Sequence, residues 1–429
     1  MMQSEKREWG IGILRGNLLW LVICQCIWMF TTSIPRPYLS IYITTLGGTP
    51  TDIGLVNSAS AIAGLFLYPL GGYIADKSGR VKLVGAATIL YAVSFIPFAY
   101  APNWETLALA SFFQNLVLFY SPILTVIQAD SMPAGKRGKG FAIALTVPGA
   151  LGILSPYIGG YLVDSIGIIP AMRLTYLVGF GAGILVALIR MFKLTETLQS
   201  KSEDVSYRNL PKLLRESYSS FLETIRWMPS PIRVLAVMQV IQIFFNGIAG
   251  PYWILYAYEK LGASATTWGL LSLISGLVRM LVAIPAGSIM DKYGRRKLLI
   301  PFMTLTPLMP LYFLVSGGFN GLVVLVVVMA AVNSFLMPGF QSLLADYTVR
   351  ERRGRVTSAI GAGNFFVDIR GSAWGSGMLL FIPSAIAQSL GGVLYEMDPV
   401  IPFLTMSAGM CIVAIWAFFR VRDPETIHG

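Results

Sequence analysis

Two arginines lie inside long apolar runs of this 429-residue chain, where a charged side chain needs a specific partner. Arg279 stands well before Asp291, at a separation of about 18 Å of helix at 1.5 Å per residue, and so lies deep in its run. Arg36 stands between Pro35 and Pro37, which remove backbone donors and predict a break in the first run. A guanidinium in such a place can bind a carboxylate or phosphate through two parallel hydrogen bonds. We expect both arginines to be anion contacts; the alternatives are a structural ion pair for Arg279 and an Arg36 that reaches the outer interface.

Neutral polar side chains in the same runs are candidates for further solute contacts. Gln242 and Asn246 share one face of a predicted helix, just before a Gly-Pro pair that predicts another break. Asn115 lies in the fourth apolar run. We rank these three as the neutral binding residues, while most aromatic residues nearby are expected to be packing residues.

Asp368 is the candidate for proton coupling. It lies in the stretch GAGNFFVDIRGSAWGSG, away from helix ends where water would keep a carboxylate ionised. Burial in a membrane would raise the pKa of such a carboxyl towards the working range. The alternative is an ion pair with Arg370 or Arg279.

Metal, cofactor and enzyme chemistry have no support in these residue types. The three cysteines, Cys24, Cys26 and Cys411, all lie in apolar runs, and the single histidine is His428. No GxxxxGK[ST] phosphate-binding loop occurs, which argues against an ATPase. We therefore expect no cofactor, no metal site and no enzymatic activity.

Composition identifies a membrane protein. The chain is 55% hydrophobic and only 12% charged, against about 25% charged residues in ordinary soluble proteins. Most lysines and arginines fall at the N-terminus, in alternate loops and in the C-terminal tail, which is the bias of cytoplasmic segments. The net charge of +11 therefore reports topology, with both termini cytoplasmic, and gives no reason to expect nucleic acid as a partner.

Twelve membrane-spanning helices are predicted, because each apolar run is long enough to cross a bilayer. They lie near residues 17–45, 52–74, 81–101, 105–129, 140–163, 169–191, 232–258, 265–290, 298–317, 320–345, 372–395 and 400–420. The polar stretch between spans 6 and 7 predicts a cytoplasmic linker, with an amphipathic helix at Leu210 to Trp227 on the membrane surface. The expected domains are an N-terminal bundle (1–192), the linker (193–230) and a C-terminal bundle (231–429).

The two halves carry the same charged turn at the same place. GGYIADKSGR (Gly71 to Arg80) follows span 2, and AGSIMDKYGR (Ala286 to Arg295) follows span 8. Further parallels are PYLSIY with PYWILY, ADSMPAGKRGK with ADYTVRERRGR, and IGGYL with LGGVL. The second half has an extra segment of about 16 residues between Gly354 and Gly391, predicting an interfacial helix before span 11 or a broken, lengthened span.

These repeats resemble the major facilitator superfamily, and within it the twelve-helix drug and metabolite exporters. The resemblance implies an all-α membrane fold in which two pseudo-symmetric six-helix bundles rock about a central solute site. It also implies a gate that latches the cytoplasmic side in the outward-facing state. The gate residues carried over are Gly72, Asp76, Arg80, Asp130, Gly287, Asp291, Arg295 and Asp346.

Other exporter patterns are eroded. The position of the span 4 arginine of proton-driven drug exporters is Ser111 here, and the first span contains no carboxylate. The resemblance therefore predicts the movement of the two bundles better than it predicts the transported solute.

The favoured interpretation is a secondary transporter that exports lipophilic, drug-like compounds by alternating access, with protons as the candidate coupling ion. Its partners are then a small-molecule substrate and the lipid bilayer of the cell membrane, and we expect a monomer. The alternatives are an organic-anion carrier that uses Arg36 and Arg279, and a membrane sensor that binds without transporting.

Overall fold

The computed structural model describes residues 14–77, 79–132, 137–197, 210–349, 352–361 and 377–422. For residues 67–77, 137, 210–213, 217 and 291 only the backbone is described. Within these ranges the chain is α-helical, with short 3₁₀ segments and no strand. Asp368 and Arg370 lie outside the described residues, so the roles predicted for them remain predictions.

The first half contains six spans. They are span 1 (Gly16–Ser33, Arg36–Tyr38 and Leu39–Thr45), span 2 (Pro50–Lys77), span 3 (Arg80–Val93 and Phe95–Ala99), span 4 (Trp104–Val117, Leu118–Tyr120 and Ser121–Asp130), span 5 (Arg137–Gly152 and Ser155–Ile166) and span 6 (Ile168–Lys193).

The second half follows the linker helix Leu210–Trp227. Its spans are span 7 (Ser230–Ala249, Gly250–Tyr252 and Trp253–Glu259), span 8 (Ala265–Tyr293), span 9 (Arg295–Leu305 and Leu308–Val315), span 10 (Gly318–Tyr347), span 11 (Arg353–Ile360 and Met378–Met397) and span 12 (Ile401–Arg420). Eleven helices of the described chain are long and apolar enough to cross a membrane. The remaining predicted span, span 2 at 52–74, falls within the helix Pro50–Lys77.

Proline breaks spans 1 and 7 at equivalent places. Each break is a 3₁₀ turn, Arg36–Tyr38 in span 1 and Gly250–Tyr252 in span 7, with proline in its first positions. Proline has no N–H and its ring clashes with the preceding turn, so the regular helix stops there. The predicted breaks are present, and they leave backbone carbonyls available inside the membrane-spanning region.

The extra segment of the second half interrupts span 11. Arg353–Ile360 ends at Gly361, whose φ of 80° favours glycine, and Met378–Met397 begins just after Gly377. A Cβ on Gly377 would collide with the backbone of Ile360 and Gly361, so the two ends of the segment lie in contact. Residues 362–376 lie outside the described residues, so the choice between an interfacial helix and a broken, lengthened span remains a prediction.

Contacts between the two halves concentrate on two helix pairs. Span 2 packs along span 11, and span 5 packs along span 8. Because successive spans alternate in direction, the molecule has two ends: the linker end, where spans 2–3, 4–5, 6–7, 8–9 and 10–11 are joined, and the far end, where spans 1–2, 3–4, 5–6, 7–8, 9–10 and 11–12 are joined.

The helix predicted at Leu210–Trp227 is present, but it lies between the halves and not only along a lipid surface. It packs against span 2 and against Arg353–Ile360. The Tyr218 hydroxyl donates to the carbonyl of Leu65 in the middle of span 2 at 2.6 Å. That carbonyl is available because Pro69, four residues on, has no N–H to offer it.

This contact gives a testable prediction. Tyr218→Phe should lower the free energy of unfolding by about 1 kcal/mol, since a half-buried hydrogen bond is lost. In a Pro69→Ala background the same substitution should have a smaller effect, because alanine supplies the missing N–H. Melting temperatures of the purified variants measure both effects. Tyr258→Phe, at an exposed tyrosine, is the control, and equal losses in both backgrounds would contradict the explanation.

Candidate solute cavity and the contacts that close it

A cavity of about 360 Å³ opens beside the break of span 1. This volume is within the range of small-molecule sites, about 300–1,000 Å³. Its walls come from spans 1, 2, 3, 4 and 6 of the first half, and from Pro251 and Ile254 of span 7. The Ser40 hydroxyl donates to the Pro251 carbonyl at 2.7 Å, so the breaks of spans 1 and 7 meet at the cavity wall.

Five aromatic rings line this cavity in a connected series. The centroid of Trp28 lies 4.9 Å from Tyr91, and Tyr91 lies 5.6 Å from Phe95. Tyr176 lies 5.9 Å from Phe95 and stacks on Phe98 at 4.9 Å. These centroid distances are typical of aromatic pairs, and together the rings present a large apolar surface to the cavity.

Polar groups interrupt the aromatic wall at a few points. Arg36 is exposed to the cavity, and Asn115 lines it while donating to the Ser111 carbonyl at 2.9 Å. Gln114 donates to the Ser94 hydroxyl at 3.0 Å. The cavity thus combines an apolar surface with a few oriented polar groups, which is typical of ligand sites. Arg36 and Asn115, both predicted from sequence, come together here.

The other predicted binding residues do not line this cavity. Gln242 and Asn246 are 0% and 1% exposed, on the part of span 7 that packs against spans 11 and 12. Asn246 has no hydrogen-bond partner for either side-chain polar atom among the described residues. Arg279 is half-buried on span 8, whose neighbouring Gly276 packs against Ile153 of span 5. Binding roles for these three residues remain predictions.

At the linker end, the predicted ion pairs are present within each half. Arg80 is 7% exposed and its guanidinium lies 2.6 Å from the Asp130 carboxylate. Arg295 pairs with Asp346 in the equivalent place. Both pairs join neighbouring spans of the same half, 3 with 4 and 9 with 10.

The remaining gate positions are less informative. The side chains of Asp76 and Asp291 lie outside the described residues, and for Gly72 only the backbone is described. A Cβ on Gly287 would meet nothing within 4 Å in the described part of the chain, so no described helix approaches closely there. The gate itself remains a prediction.

At the far end, a tyrosine of the first half joins span 5 to span 8. Tyr38 is fully buried, and its hydroxyl lies 2.5 Å from the Pro156 carbonyl oxygen and 3.3 Å from that of Ala265. Ala265 starts span 8 in the second half, so one hydroxyl contacts backbone of both halves.

The second half repeats this contact. Tyr252 is also fully buried, and its hydroxyl lies 3.1 Å from the Pro50 carbonyl oxygen and 3.4 Å from that of Gln388. Aligning PYLSIY with PYWILY pairs the two tyrosines, and the neighbouring repeats pair their acceptors. The far end is therefore held by two equivalent tyrosine contacts.

Glycines let the backbones approach at both contacts. A Cβ on Gly160 of span 5 would collide with the backbone of Ala265, and one on Gly392 of span 11 with the backbone of Thr51. These glycines are the second members of the repeated pairs in IGGYL and LGGVL. Absence of a side chain is what permits such close helix packing.

Two carboxylates add to these contacts, and we call the contacts of Tyr38, Tyr252, Asp164 and Glu396 the far-end closure. Asp164, at the end of span 5, accepts hydrogen bonds from the N–H groups of Ala265 at 3.2 Å and Thr266 at 2.8 Å. Glu396, at the equivalent end of span 11, accepts from the Thr51 N–H at 3.0 Å. Each carboxylate thus binds the N-terminus of a helix in the other half, where free N–H groups and the helix dipole favour negative charge.

Sequence patterns did not single out this far-end closure. A carboxylate at a helix end, such as Asp164, is normally hydrated, and most aromatic residues in these runs were expected to be packing residues. The available signal was the repetition itself, since tyrosine, glycine and carboxylate recur at equivalent positions of both halves.

The closure predicts a shift of conformation when its charges are removed. Asp164→Asn and Glu396→Gln should each weaken the closure by about 1 kcal/mol, a roughly fivefold change in the equilibrium between closed and open far ends. Spin labels at exposed Ser165 and Lys260, with the native cysteines replaced, report the separation of the halves. We expect a longer distance to gain population, most in the double variant.

Glu105→Gln is the matched control, because this carboxylate lies in the first turn of its own helix in span 4. A distance distribution that stays the same in the double variant would contradict the closing role of Asp164 and Glu396.

Comparisons with known proteins agree with this architecture. A sequence profile of the Major Facilitator Superfamily matches residues 21–227 and 235–429. The multidrug resistance protein MdtG of Dickeya zeae (strain Ech586) is 26% identical over 341 residues, which is 76% of this chain and 78% of the relative. The quinolone resistance protein NorA of Staphylococcus aureus is 31% identical over 129 residues, 30% of this chain and 33% of the relative.

Solved structures share the fold at low sequence identity. A D-xylose–proton symporter aligns with a TM-score of 0.65 and 15% identity, over 95% of this chain and 97% of its own. A POT family transporter in complex with 5-aminolevulinic acid aligns with a TM-score of 0.70 and 14% identity, over 93% and 94%. Since the profile covers almost the whole chain and the fold agrees, this multi-pass membrane protein belongs to the Major Facilitator Superfamily.

Proposed function

We propose that this transporter exports lipophilic, aromatic, drug-like compounds by alternating access. The observation that carries the proposal is the connected series of five aromatic rings on the cavity wall. Flat aromatic solutes can pack against such rings without needing a dense set of hydrogen bonds. The resistance proteins named MdtG and NorA, to which the chain is similar, support export of drugs.

The far-end closure supports the proposed cycle. With the termini in the cytoplasm, as the charge distribution predicts, the closed far end faces outside. The structure then corresponds to the inward-facing state, in which solute enters from the cytoplasm. Release to the outside requires the contacts of Tyr38, Tyr252, Asp164 and Glu396 to break. The ion-paired turns at the linker end are then proposed to join the halves on the cytoplasmic side.

Proton coupling is the less defined part of the proposal. The described cavity wall contains no aspartate or glutamate, so the coupling carboxyl is sought elsewhere, and Asp368 remains the proposed residue. Efflux from proteoliposomes with and without an imposed pH gradient tests the coupling, and Asp368→Asn tests the residue.

The transport proposal predicts a defined loss of function. Trp28→Leu should reduce the affinity for aromatic dyes about tenfold, because one aromatic face of the cavity is removed. Trp104→Leu is the control, since this tryptophan begins span 4 at the far end and is not part of the described wall. Dye binding to the purified protein and dye flux in proteoliposomes are the two measurements.

The outcomes separate the candidate functions. Binding and flux that both fall in Trp28→Leu, but not in Trp104→Leu, support export through this cavity. Binding without flux in the wild-type protein would favour a membrane sensor. Equal behaviour of the two variants would contradict the cavity assignment.

A further inference from the structure

The wall of the solute cavity is made of spans with different chemistry. The five aromatic rings belong to spans 1, 3 and 6. The amide side chains belong to spans 2 and 4, where Asn57, Gln114 and Asn115 line the cavity. Spans 2 and 4 pack along each other, so these amides lie on neighbouring helices. A solute that packs on the rings therefore has the polar groups of two adjacent spans within the same cavity.

The two asparagines direct their amide oxygens away from their own helices. The Asn57 amide nitrogen donates to the Ile53 carbonyl at 2.8 Å, and that of Asn115 donates to the Ser111 carbonyl at 2.9 Å. A backbone carbonyl can only accept, so these bonds distinguish the nitrogen of each amide from its oxygen. Neither Oδ1 atom has a hydrogen-bond partner among the described residues, and both stay accessible in the cavity wall.

Hydroxyl groups of the wall have already used their donors. Thr32 donates to the Trp28 carbonyl at 2.7 Å, and Ser60 donates to the Val56 carbonyl at 3.3 Å. Ser40 donates to span 7 across the two helix breaks. A hydroxyl has one hydrogen and two lone pairs, so each of these groups can offer a solute only an acceptor. Together with the two amide oxygens, they make this part of the wall rich in acceptors.

An excess of acceptors discriminates between solutes. A carbonyl oxygen that has left water without gaining a donor carries a free-energy cost, and a solute N–H or O–H removes that cost. A solute acceptor in the same position makes no hydrogen bond and faces other lone pairs. The wall therefore favours a donor at the edge of the bound compound.

We propose that the cavity selects uncharged aromatic solutes that carry an N–H or O–H donor, and that Asn57 and Asn115 accept the hydrogen bond. This inference rests on the proposed export of aromatic compounds and specifies the class of solute. The rings bind the apolar body, and the two asparagines are specificity-determining residues that distinguish a donor from an acceptor at its edge.

Three probes isolate the hydrogen-bond donor. Carbazole, fluorene and dibenzofuran share a flat tricyclic shape, and their central groups are an N–H, a CH₂ and an ether oxygen. All three are uncharged, so the charge of Arg36 does not distinguish them. Binding to the purified transporter is measured at one fixed detergent concentration. Each probe then partitions equally into the micelles of every sample, so changes between variants report the site.

Replacing both asparagines should weaken the binding of the donor probe alone. In the double variant Asn57→Leu with Asn115→Leu, the affinity for carbazole should fall about fivefold, as expected for one hydrogen bond between neutral groups. The affinities for fluorene and dibenzofuran should stay within about twofold of wild type. Each single variant is measured as well, and at least one should show the fall, so the test does not depend on the double variant being folded.

Gln239→Leu is the matched control. Gln239 is a buried amide of span 7 that does not line the described cavity wall, so its replacement should leave the affinity for carbazole as in wild type. Melting temperatures confirm that each variant is folded.

The possible results separate this inference from the proposed function. A carbazole affinity that survives in the asparagine variants, or a dibenzofuran affinity that falls as far, would overturn the donor selectivity alone. If wild type binds none of the three probes, the aromatic-export proposal falls, and the inference falls with it. A loss confined to carbazole and absent from Gln239→Leu supports both.

Discussion

The hydrogen bonds of two buried tyrosines join the two halves of the molecule at the far end. Tyr38 and Tyr252 each contact backbone carbonyls of both halves, so each hydroxyl fixes a helix crossing at which the halves meet. Such contacts are possible because glycines let the helices approach closely and because each carbonyl oxygen has a second lone pair that can accept a hydrogen bond.

The symmetry of the closure contrasts with the asymmetry of the cavity. Where the first half has Leu39 at the cavity wall, the repeat has Trp253, which is fully buried. The Trp253 ring lies 4.6 Å from Phe313 and 5.2 Å from Phe403, so packed rings occupy this part of the second half. The far-end contacts are thus repeated in both halves, while most of the cavity wall belongs to the first half.

The sequence predicted features that depend on residue type. Apolar runs predicted the spans, prolines the breaks of spans 1 and 7, and opposite charges the Arg80–Asp130 and Arg295–Asp346 pairs. It did not predict the far-end closure, because the partners there are backbone carbonyl and N–H groups that every residue type supplies. Nor could it tell which polar residues line the cavity. Both faces of span 7 meet protein, so the polarity of Gln242 and Asn246 does not identify the face that meets solute.

The contacts of the far-end closure also suggest how the two end states of the proposed transport cycle can have similar free energies. The Arg80–Asp130 and Arg295–Asp346 pairs each lie within one half, so they cannot by themselves hold the halves together. The proposed gate instead needs Asp76 and Asp291 to meet helix N-termini of the opposite half, which is the chemistry that Asp164 and Glu396 already show. If each end is closed by two carboxylates on two helix N-termini, opening one end while closing the other exchanges like contacts. The two states then differ by a small free energy, and the differential binding of solute or protons is enough to shift the population between them.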